Sequence, residues 1–83
     1  MSSKDMDFPQ YRKLRNEKVF YRIVDHRHFD EIQLVGSKAN FFQHTAKQYP
    51  EILRIQDMLQ ESPYFTDSSE QEFNELLNRY ALC

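Results

Sequence analysis

The sequence predicts an α+β domain, in which a small three-stranded antiparallel meander is followed by three helices packed on one face of it. Three observations lead there. Residues 11–36 are rich in β-branched and aromatic side chains and contain the strand-like runs KVFYRIV and EIQLVG. Beyond Gly36 the apolar residues recur at three- and four-residue spacing, the mark of helices with one buried stripe. The chain has 83 residues, 40% of them hydrophobic, enough for one domain with a thin core.

Residues 1–9 are polar, aperiodic and end in Pro9, which predicts a flexible N-terminal arm with Phe8 as its anchor. Residues 10–83 then form the single α+β domain. YRKL is its short first strand, and Asn16-Glu17 the tip of the first hairpin, pairing Leu14 with Val19, Lys13 with Phe20, Arg12 with Tyr21 and Tyr11 with Arg22. A four-residue loop over residues 25–28 makes the second hairpin, pairing Val24 with Phe29, Arg22 with Glu31, Tyr21 with Ile32 and Val19 with Leu34. This register gathers Leu14, Val19, Tyr21, Ile23, Ile32 and Leu34 on one face, which a one-residue slip would scatter. The other face carries Tyr11, Lys13, Phe20, Arg22, Val24, Phe29, Glu31 and Gln33.

Ser37 caps the first expected helix, through FFQHTAKQY, with Ala39, Phe42 and Ala46 on its stripe until Pro50 ends it. Pro50 and Glu51 suit the first turn of a second helix, with Ile52, Ile55, Met58 and Leu59 facing the core and Ser62-Pro63 as its stop. The SPYFTD connection is aromatic for a loop, so Tyr64 and Phe65 are expected to dock on the domain. Ser68 with Gln71, and Ser69 with Glu72, each fit a capping box for the third helix, whose Phe73, Leu76, Leu77 and Tyr80 repeat at helical spacing. Glu70, Glu72 and Glu75 near its start and Arg79 near its end suit the helix dipole.

Composition also narrows the function. No run reaches the roughly 18 apolar residues of a membrane span, MSSKDMDFPQ lacks the apolar stretch of a signal peptide, and the only cysteine, Cys83, has no internal partner. A cytoplasmic protein with no membrane contact is expected. The chain shows no Gly-rich phosphate loop, no nucleophile elbow and no zinc-type Cys/His spacing, and no set of residues qualifies as catalytic. No cofactor is expected and the protein is read as non-enzymatic. His26, His28 and Asp30 would share a side if residues 26–30 were a strand, as a metal site needs; read as a solvated corner they hold no metal.

Charge is unevenly spread. Arg12, Lys13, Arg15, Lys18, Arg22 and Arg27 outweigh Glu17 and Asp25 in the front half, whereas the remainder is acidic and the net charge is −2. The basic, aromatic sheet face is the expected binding surface, built from Tyr11, Lys13, Phe20, Arg22 and Phe29. The function expected from it is that of a small protein–protein interaction or regulatory module, with a protein partner or a second copy (a homodimer) as the ligand, the basic sheet of one subunit meeting the acidic helical half of another. The alternative is an RNA or single-stranded DNA module that stacks bases on the same rings, so nucleic acid is the second partner class.

Overall fold

Four consecutive strands occupy residues 10–45 in the computed structural model, which describes residues 8–60 and 63–82. They are β1 (Gln10–Leu14), β2 (Val19–Ile23), β3 (His28–Val35) and β4 (Lys38–Thr45). Helix α1 (Tyr49–Leu59), strand β5 (Phe65–Asp67) and helix α2 (Glu70–Arg79) follow. The sheet is antiparallel and five-stranded, ordered β4-β3-β2-β1-β5, and among the described residues there are two helices. The expected three strands and three helices are therefore corrected to five strands and two helices.

Two segments account for the correction. The stretch expected as a first helix is β4, because Gly36, at φ +61, and Ser37 form a two-residue turn that places Lys38 opposite Val35. Once that hairpin closes, the poor helix formers Asn40, Phe41, Phe42, His44 and Thr45 extend the ladder, with Phe41 against Ile32 and Phe42 against Glu31. The second segment is the aromatic connection, which adds to the far edge as β5, pairing Leu14 with Phe65 and Arg12 with Asp67. Phe65 is half-buried and meets Tyr21 edge-on at 5.7 Å, while Tyr64 is 71% exposed.

The first hairpin has the expected register, with Lys13 opposite Phe20 and Tyr11 opposite Arg22. Its turn is closed by Glu17 N–H to the Leu14 carbonyl at 2.8 Å, with Glu17 itself at φ 60. The second hairpin is one residue off, with Ile23 opposite Phe29 and Arg22 opposite Asp30. Its corner runs over residues 24–27 and is tied by Asp25, whose Oδ1 accepts from Arg27 N–H and lies 2.8 Å from His28 Nδ1. The slip moves Phe29 and Glu31 beside Tyr21 and sends Ile32 and Leu34 to the side of Phe20.

Such a slip is tolerated because both faces are covered. On one, Tyr21, Ile23 and Phe29 pack with Ile55 and Met58 of α1 and with Ala46; Phe8, Leu14, Val19 and Phe65 surround them. On the other, Phe20 and Ile32 pack with Phe73, Leu76 and Leu77 of α2, flanked by Tyr11, Leu34, Ala39 and Phe41. The helices thus lie on opposite faces of the sheet instead of together on one.

Both helices start as their sequences dictate. Pro50 occupies the first turn of α1, and Glu51 Oε1 accepts the backbone N–H groups of Lys47 and Gln48. The end of α1 is met by Arg12, whose Nε donates to the Met58 carbonyl at 2.9 Å. Ser69 caps α2 by accepting Glu72 N–H, and Ser68 Oγ donates to the Glu72 carboxylate at 2.6 Å. Residues 1–7 of the expected arm, and Cys83, lie outside the described residues.

Candidate interaction surface

The residues expected to form one exposed surface are divided between two interiors. Tyr11, Lys13, Phe20 and Arg22 share the face beneath α2, where Phe20 is 4% exposed. Phe29 lies on the opposite face beneath α1 and is 2% exposed. The cations of the first group are engaged within the chain. Lys13 bonds Glu17 and Glu72, each at 3.1 Å, and Arg22 bonds Asp30 through Nη2 at 2.7 Å while its guanidinium lies over the Phe73 ring. Tyr11 tilts against Phe73, and burial pushes its phenol above the ordinary value. The charge asymmetry of the sequence is thus partly resolved inside one molecule, basic β1 against acidic α2.

His26, His28 and Asp30 are not brought together. His26 meets Phe8 edge-on, His28 pairs with Asp25, and Asp30 is buried against Arg22. Among the described residues no group of three or more His, Cys, Asp or Glu is placed to hold a metal ion. No helix among them is long and apolar enough to cross a membrane.

A different surface emerges where the α1 face runs beyond the helix onto β3 and β4. The register puts Glu31, Gln33 and Val35 of β3 beside Phe42, Asn40 and Lys38 of β4, with His44 beside Phe29. Glu31 is 4% exposed and its carboxylate is nonetheless well partnered. Gln33 Nε2 donates to one oxygen and His44 Nε2 lies against the other, both at 2.8 Å, with the Arg54 guanidinium 4.0 Å away. Arg54 donates to the Tyr21 hydroxyl at 3.0 Å and spans the Tyr21 and Phe29 rings, while burial pushes the Tyr21 phenol up against that bond. His44 stacks on Phe29 at 4.6 Å and is tilted against Phe42 at 6.1 Å. This network fixes side chains; it brings no nucleophile beside a base.

On this floor Phe42 is 41% and Val35 59% exposed. The strand that carries Phe42 is also an edge. Among the described residues eight-residue β4 pairs with β3 alone, and it contains no Pro and a single Lys at its start. The opposite edge, β5, is three residues long and ends on Asp67. Beside β5 an open groove is lined by Arg12, Arg15, Phe65 and Asp67, but its guanidiniums already bond the Met58 and Pro63 carbonyls.

Sequence reasoning placed Val35 in a strand but missed the surface it shares with Phe42 and the anchored His44, because it read β4 as a helix. The signal that finds them is Gly36-Ser37 between two apolar runs, a two-residue hairpin turn. Comparison with protein-family models, with curated proteins and with solved structures finds no match.

Proposed function

We propose that the protein is a non-enzymatic binding module that recruits a protein partner by strand addition at β4. The observation that carries this reading is the long edge strand flanked by the exposed Phe42 and Val35 on a floor held rigid by Glu31, His44 and Arg54. Backbone groups of an edge strand supply affinity for an incoming strand, and the side chains beside it supply selectivity. A base-stacking platform has less support, since Phe20 and Phe29 are buried and Lys13 and Arg22 are paired with acids. Cytoplasmic residence belongs to the same proposal, supported by the single cysteine.

The test is retention of proteins from a cell extract on the immobilised chain, compared with Phe42→Lys and Gln43→Pro. Both variants are expected to lose the retained species while keeping the wild-type circular dichroism. Retention that is unchanged in both variants would remove β4 from the function.

A further inference from the structure

The two-residue turn settles which way the backbone of β4 points. In such a hairpin the closing pair, Val35 and Lys38, exchanges hydrogen bonds, and bonded and non-bonded pairs then alternate along the ladder. Asn40, Phe42 and His44 therefore face their backbone groups toward β3. Ala39, Phe41, Gln43 and Thr45 face theirs outward along one line, where no strand among the described residues pairs with them. Consistent with this alternation, Ala46 N–H again turns inward, to the Arg27 carbonyl.

We infer that this line pairs with β4 of a second copy of the chain, antiparallel about a twofold axis at Phe42, to give one continuous sheet. The inference rests on the docking role proposed above and names its occupant. A twofold axis normal to the sheet keeps each face on its own side, so only residues of the same face meet across the junction. Centring on Phe42 sets its ring against the partner's Phe42 in a non-bonded pair, where cross-strand side chains approach most closely. It sets Asn40 against the partner's His44, and makes Phe41 with the partner's Gln43, and Ala39 with the partner's Thr45, the bonded pairs.

Ring pairing and charge together favour this register. Lys38, on the α1 face, comes opposite the partner's Ala46. Glu51 stands next to that position, because its Oε1 is bound to the N–H groups of Lys47 and Gln48. Each Lys38 thus meets the partner's Glu51 carboxylate, twice by symmetry, and no two like charges of β4 are set opposite each other. Of the two neighbouring allowed registers, the one centred on Phe41 brings Lys38 onto the partner's His44 and Phe42 onto the partner's Asn40, forfeiting both the ring pair and the ion pair, and the one centred on Gln43 brings Phe42 onto the partner's His44 and forfeits the ring pair.

The experiment is light scattering over a concentration series combined with amide hydrogen exchange, on the wild type and on Lys38→Glu, Glu51→Lys, the double exchange, and Gln43→Pro. A dimer is expected in which the amides of Ala39, Phe41, Gln43 and Thr45 gain protection with concentration, while those of Asn40, Phe42 and His44 are protected throughout. Each single charge reversal is expected to weaken the dimer about tenfold and the double exchange to restore most of it. Because Glu51→Lys also removes the α1 cap, melting temperatures are read alongside, and Lys38→Glu carries the result if the others fail to fold. A monomer at every concentration would overturn the second-copy inference, yet would leave strand addition standing if extract proteins are still retained through β4. A dimer that survives Gln43→Pro and Lys38→Glu would overturn the second-copy inference, and unchanged retention of extract proteins in Gln43→Pro would overturn strand addition as well.

Discussion

Beneath α2 the sheet closes with Phe20, Ile32, Phe73, Leu76 and Leu77, and its buried Asp30 is matched by one ion pair with Arg22. Beneath α1 the packed set Tyr21, Ile23 and Phe29 stops short of the sheet edge, and the floor continues as Glu31, Gln33, Phe42 and His44. One face therefore carries a continuous packed core. The other combines a core with a shelf whose carboxylate is held by several neutral and charged donors, so that removing any one leaves the rest in place.

The sharpest way to break this contrast is to truncate one ring from each side. Phe73→Ala is expected to cost about 3–5 kcal/mol, a large part of the roughly 5–15 kcal/mol that holds a small domain together. Phe42→Ala, on the open shelf, is expected to cost less than about 1 kcal/mol. Urea denaturation of both measures the difference, and equal losses would make β4 part of the core. A smaller effect separates the two buried acids. Arg22→Ala strands Asp30 and is expected to cost about 3 kcal/mol, against about 1 kcal/mol for His44→Ala, which leaves Glu31 with Gln33 and Arg54.

The smallest expected effect is one of pH on the α2 side. Hydrogen bonding from Ser68, joined by Lys13, holds the Glu72 carboxyl below the ordinary glutamate range. A folded value below the unfolded one means that its stabilisation is present above about pH 4.3 and is lost as pH falls through the folded value. Ser68→Ala is expected to flatten the fall of melting temperature between about pH 4.5 and 3, and an unaltered acid limb would remove Glu72 from the explanation.

How much of this was legible in the letters depends on how local each cause is. The first hairpin and both helices were readable because their determinants are adjacent: alternation about Asn16-Glu17, Pro50 with Glu51, and Ser69 with Glu72. The register of the second hairpin was not, because sorting apolar residues onto one face fails when each face has its own helix. Strand β5 was hidden since its partner, β1, lies about fifty residues earlier. The shelf was hidden with β4. Its residues Ala39, Phe42 and Ala46 mimic a helical stripe, and only the turn before them breaks the tie.

The position of β1 also bears on how the chain is made. Of the described strands it is the earliest to leave the ribosome, yet it is an interior strand of the finished sheet, paired on its second side by β5. At roughly 5–20 residues per second, the segment 65–67 follows β1 after about 3–10 s. For that interval β1 is a nascent edge open to wrong pairing. Charged side chains on a strand edge oppose wrong pairing, and β1 carries Arg12 and Lys13 there, with Arg15 just beyond its end; in the folded chain Arg12 and Lys13 are the strand's links to the Met58 carbonyl and to Glu72.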